Sequence, residues 1–280
     1  LKVRPGVKWS NGDDFTADDV VHNFTRWADG NVEGNSMSAR MAGIQDAATK
    51  TARPDAFEVI DPLTLKIKLS QPDIALIASC ADYPAQVVHK SYDNGDPTVN
   101  PIGTGPYMIE SFETGVKAVL EKRAEPWWGT DVYGGPYLDR IEYYDLGTDT
   151  SAWVAAAGSG EIDATYQTVG EFIEQLDGLG WTKSEATTAS TLAVRFNQLA
   201  EEFKDVNVRK ALQLAVDNNV VLELGYNSLG KPAENHHVCP IHPEYAELPP
   251  LTVDAAKAKQ MIADAGSGEV EIELSSLDGD

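Results

Sequence analysis

The chain has 280 residues, 42% of them apolar, enough for one large core or two ordinary ones, which excludes a disordered or fibrous chain. Asp and Glu outnumber Lys and Arg 44 to 22, and the resulting net charge of −22 argues against nucleic acid and anionic lipid as partners. No apolar run reaches the roughly eighteen residues a membrane-spanning helix needs.

In chain order, the opening "LKVRPGVKWSNGDDF" already alternates apolar and polar residues. Thr16 then starts a helix in which Val20, Phe24 and Trp27 recur at helical spacing, with Thr16 and Asp19 as a capping-box pair. Residues 63–69 set Leu63, Leu65, Ile67 and Leu69 against Thr64, Lys66 and Lys68, the period of a half-buried strand, bounded by "DP" and "QPD". Further strands are predicted at 116–122, 140–146, 191–197 and 269–275, and helices at 150–158, 206–218 and 252–266, the last closed by Gly266. Helices and strands are intermixed with no repeat or low-complexity linker, which predicts an α/β architecture.

Enzymatic motifs are missing. "GTGPY" and "GSGEID" fit neither the dinucleotide fingerprint nor the phosphate-cradling loop, so their glycines are assigned to turns. No GxSxG, HExxH or paired CxxC occurs, and among so many carboxylates a chance Asp/Glu pair says nothing about acid–base work. Cys80 and Cys239 lie far apart in sequence and form neither a redox pair nor a metal cluster. "ENHHVCPIHPEY" gathers His236, His237 and His242 beside Cys239, donors that suit zinc, copper or nickel at a spacing that matches no standard site. The segment reads equally as a ligand-contacting loop or a structural one.

Four blocks carry a family resemblance. "LKVRPGVKWSNGDDFTADDVVHNFTRW", "NPIGTGPYMIESFETGVKAVLEKRAEPWWG", "GPYLDRIEYYDLGTDTSAWVAAAGSGEID" and "LAVRFNQ" with "FKDVNVRKALQLAVDNNVV" follow one another as in the extracytoplasmic solute-binding proteins of family 5. That family contains the dipeptide, oligopeptide and nickel receptors of ABC importers. The resemblance implies a two-lobed periplasmic-binding-protein-like fold of type II, with an extra subdomain set into lobe one, of which this chain is a fragment lacking both ends. Mapped onto the sequence, 1–98 is the extra subdomain, 99–195 the main part of lobe one and 196–280 the start of lobe two. It further implies a monomeric periplasmic receptor whose signal peptide is removed, with no cofactor and no enzymatic activity, delivering a peptide or peptide-like ligand to a membrane-embedded ABC permease. A metal or metal-chelate receptor using the His236, His237 and His242 loop is the alternative reading, and an acidic hydrolase a third.

The signature residues Gly6, Trp9, Gly12, Phe15, Gly103, Gly105, Pro106, Tyr107 and Trp128 are read as structural, glycines for turns and aromatics for packing. Ligand contacts are expected instead from the segments after the first helix and after the 63–69 strand. In them Met37 and Arg40, then Asp82 and Tyr83, offer an apolar surface, a carboxylate fork, an amine partner and an aromatic face. Tyr166, Gln167 and Asn197 are expected at strand ends, where open α/β sheets expose their crevices, and His236 and His237 complete the expected set. Cys80 and Cys239, assigned to different lobes, are expected to be unbonded.

Overall fold

The computed structural model describes residues 1–275 apart from 93–97, 169, 171, 189, 237, 250, 251 and 270. The chain forms two compact units, Leu1–Asp145 and Leu146–Asp280.

In the first unit, α1 (Ala17–Trp27) starts where the sequence places it, with Thr16 and Asp19 closing the capping box. Its apolar stripe buries Ala17, Val20, Phe24 and Trp27. The stripe packs on a hairpin of β1 (Phe57–Asp61) and β2 (Thr64–Ile67), where Leu65 is buried and Leu63, Ile67 and Leu69 pack against the same core. Lys66 and Lys68 point outward and pair with Glu58 at 3.8 and 3.2 Å, so the alternation in the sequence is the alternation of the strand. The first residues lie against the hairpin: Val3 N–H donates to Leu63 O at 2.8 Å and Leu65 N–H to Leu1 O at 3.0 Å. A 3-10 stretch, Ser38–Ile44, and α2 (Leu76–Ser79) close the core with Met37, Met41, Ile44 and Leu76.

A meander of β3 (Tyr107–Glu113), β4 (Lys117–Lys122) and β5 (Arg140–Tyr144) follows, antiparallel throughout, with a short helix α3 (Thr130–Tyr133) between β4 and β5. The signature residues do structural work here. Trp9 is wholly buried, with Phe15 and His89 at ring distances of 5.3 and 5.1 Å. Gly12, at φ +93°, closes the turn that returns the chain for the Lys8–Asp14 bridge. Trp128 donates its indole N–H to Thr104 O at 3.0 Å, and Tyr107 its hydroxyl to Leu138 O at 3.1 Å.

The second unit is helical among its described residues. Helix α4 (Thr150–Ser159) is capped by Asp149, which accepts Ser151 N–H at 2.9 Å, and ends on Gly160 in the left-handed region. Next come α5 (Phe172–Gly178), α6 (Val206–Ala215), α7 (Asn218–Tyr226) and α8 (Ala255–Asp264). Helices α6 and α8 meet through buried Val208, Ala211 and Ala258, small residues that let the axes approach closely. Two expectations need correction. The helix predicted over 206–218 is two helices, because Val216 is extended and Asp217 caps α7 by accepting Asn219 N–H at 2.9 Å. The strands predicted at 191–197 and 269–275 are not strands among the described residues. Alternation chooses a face, but a strand also needs a neighbour to bond, and here Leu192, Val194, Ile272 and Leu274 stay exposed.

Candidate functional site

The corner that follows α1 is built by Asn35. Its side-chain amide reaches the carbonyls of Trp27 and Asp29 at 3.1 and 2.8 Å, and its oxygen accepts Met37 N–H at 3.2 Å. This satisfies carbonyls beyond the helix end and sets the direction of the 3-10 stretch. Met37 is then buried as part of the core, and Arg40, three residues on, lies above it with Nη1 4.0 Å from the Met37 sulfur.

Asp82 arrives from the other side. The segment after α2 is strapped along α1 by Asn23, a buried polar residue on the apolar stripe, which donates to Val88 O at 2.9 Å and accepts Val88 N–H at 2.8 Å. Trp27 Nε1 and Arg26 hold the same segment through Gln86 O. Asp82 Oδ1 accepts Tyr83 N–H at 2.8 Å, which turns Oδ2 onto Arg40 Nη1 in an ion pair. Arg40 and Asp82, drawn from segments far apart in sequence, therefore meet on one surface, whereas Met37, expected to offer an apolar face to a ligand, lies beneath it in the core, only 1% exposed. Tyr83 stands beside them, 81% exposed.

Chemically, this cluster places a guanidinium and a carboxylate side by side at the surface, the guanidinium above the buried Met37. The pair is half-exposed, so its own contribution to stability is small, about 0 to 1 kcal/mol. Only one arm of the guanidinium meets Asp82, and the planar fork carries five donors in all. Such a surface can meet a carboxylate, a carbonyl or an amine at little cost in rearrangement. Burial pushes the nearby Cys80 thiol up, away from the reactive thiolate form.

The expected residues of the second unit are dispersed. Tyr166 is 95% exposed, Gln167 and Asn197 are exposed, and Asn197 accepts Leu199 N–H at 3.1 Å. A hollow of about 400 Å³ lined by Ala157, Gly160, Ile162, Asp163, Trp181 and Thr182 lies beside the "GEID" turn, without Tyr166 or Gln167 in its wall. His236 faces Glu234, Nε2 to Oε2 at 3.0 Å, and stacks on Tyr245, whose hydroxyl donates to Glu234 at 2.9 Å. That hydrogen bond to Glu234 holds the Tyr245 hydroxyl above its ordinary range. His237 lies outside the described residues. Among the described residues no three His, Cys, Asp or Glu side chains are gathered closely enough to hold a metal ion, and Cys80 and Cys239 are both free.

Asn23 and Asn35 position the cluster and were not singled out in the sequence. Asn23 had a signal: a polar residue inside the stripe of Val20, Phe24 and Trp27 is buried and must find a partner. Asn35 had none beyond the general fitness of Asn for corners.

The first unit mixes helices with two antiparallel sheets and carries the Arg40–Asp82 pair, and the second is helical among its described residues. The fold matches the murein tripeptide binding protein MppA of Escherichia coli with a TM-score of 0.73 at 24% identity, over 95% of this chain and 55% of that one. The chain belongs to the bacterial extracellular solute-binding proteins, family 5, whose middle-region model matches residues 1–276. Similar curated proteins include Heme-binding protein A of Haemophilus influenzae, 26% identical over 94% of this chain and 50% of its own length. The periplasmic oligopeptide-binding protein OppA of Salmonella typhimurium is likewise 26% identical, over 94% of this chain and 51% of its own. The chain spans about half the length of the curated relatives it matches.

Proposed function

We propose that this chain is part of an extracytoplasmic receptor that captures a peptide or peptide-like solute and delivers it to a membrane-embedded ABC permease. The observation that carries the reading is the pairing of Arg40 and Asp82 on one surface above the buried Met37, within a chain matched by the family model over residues 1–276. A peptide presents carbonyls, amides and one charge at each end, and this surface offers a partner for each of those groups. Tyr83 supplies an exposed aromatic face for an apolar side chain, and Tyr166, Gln167, Asn197, His236 and His237 are assigned as further ligand contacts. In this reading 1–98 is the extra subdomain, 99–195 the main part of lobe one and 196–280 the start of lobe two, and the receptor is a periplasmic monomer without catalytic activity.

The test is a thermal-shift screen of the full-length protein against short peptides, sugars, and nickel, copper and zinc salts, because a ligand that binds only the folded state raises its midpoint. Peptides are expected to raise the midpoint. Silence from every peptide together with a shift from a sugar or a metal would overturn the reading.

A further inference from the structure

Residues 239–242, Cys-Pro-Ile-His, form a closed turn apart from the cluster described above: His242 N–H donates to Cys239 O at 2.9 Å. The imidazole folds back over the turn, where Nδ1 accepts the Cys239 backbone N–H at 3.0 Å and lies 3.2 Å from Cys239 Sγ. A backbone N–H aimed at Nδ1 requires a lone pair there, so the neutral ring carries its proton on Nε2. That lone pair is within reach of the thiol proton. The Cys239 carbonyl oxygen lies 3.3 Å from the same Nδ1. Cys239 is half-buried, and Pro240 and Ile241, which follow it in the turn, are exposed. Cys80 has a different setting: its Sγ donates to Leu76 O at 3.2 Å, one turn back on its helix.

We propose that Cys239 is an imidazole-activated thiol and that the 239–242 turn is a site of reversible S-thiolation by low-molecular-weight disulfides. His242 Nδ1 takes the Sγ proton, and the thiolate attacks one sulfur of the disulfide R–S–S–R. The S–S bond breaks with its electron pair on the departing R–S⁻, which takes the proton back from His242 and leaves as R–SH. The product is a Cys239–S–S–R mixed disulfide, and no other oxidant is consumed. The acidic Glu234 and Glu244 of the loop favour a cationic disulfide over an anionic one.

Cystamine and iodoacetamide are the probes, applied at neutral pH to the full-length protein with site-resolved mass spectrometry. Cys239 is expected to alkylate about tenfold or more faster than Cys80, and to form the cystamine adduct while Cys80 does not. His242→Asn keeps an acceptor for the Cys239 N–H but cannot take the proton, so it is expected to bring the Cys239 rate down to that of an ordinary thiol. An unchanged circular-dichroism spectrum and thermal midpoint report that the variant is folded; His242→Gln is the second variant should Asn unfold the loop. A Cys239 rate unchanged in the folded variants, or no adduct at Cys239 in the parent protein, would overturn the proposal.

Discussion

At the scale of single residues, two buried or bridging side chains make distinct demands. Asn23 satisfies both the N–H and the C=O of Val88 from inside an apolar stripe and also donates to Asp19 O, so Asn23→Ala removes three hydrogen bonds and leaves the Val88 groups without these partners. The expected loss is about 1 to 3 kcal/mol, read as a lower urea midpoint with the slope unchanged. Glu142 is held to about 2, well below the ordinary carboxylate value, by hydrogen bonds from Lys117, Tyr144 and Arg140. With its folded-state value depressed, its contribution to stability is present above the unfolded-state value near 4.5 and is lost as pH falls through about 2. An NMR titration of the Glu142 carboxyl should show a midpoint near 2; a midpoint at the ordinary value would show that the Lys117, Arg140 and Tyr144 contacts do not persist in solution.

At the scale of elements, legibility followed from how much of an element's cause is local. Helix α1 is readable in its start and its buried face because cap and stripe lie in one stretch, and the same holds for the Gly266 end of α8. There Gly266 N–H meets Ala263 O at 3.0 Å and Ser267 N–H meets Ile262 O at 3.2 Å, closing α8 through a glycine at φ +74°. Gly266→Ala should therefore cost about 1 kcal/mol through backbone strain alone, with no Cβ clash; an unchanged midpoint on thermal or urea unfolding would refute the strain. Strand β2 was readable for its face, and the 191–197 and 269–275 stretches were misread because pairing is not written in the segment that pairs. The break at Asp217 was a local signal overlooked, since an N-cap residue after a completed apolar stripe marks a new start as well as it marks polar surface. For the candidate site, the sequence supplied Met37, Arg40 and Asp82 as separate expectations. The meeting of Arg40 and Asp82 above Met37 depends on Asn23 and Asn35, whose partners are backbone groups that no side-chain pattern announces.

At the scale of the whole molecule, the acidic balance of 44 to 22 leaves the cations outnumbered two to one. Arg40 is one of them, set over the buried Met37 and paired with Asp82 where a solute can compete for both charges. The central claim is that this surface belongs to a solute-binding wall, and calorimetric titration of one short peptide that shifts the thermal midpoint, into full-length protein and its Arg40→Ala variant, tests it most directly. The account predicts saturable heat in the parent protein and an affinity about tenfold or more weaker in the variant, the size of one lost charge-assisted hydrogen bond. Equal affinity in the two proteins would contradict it.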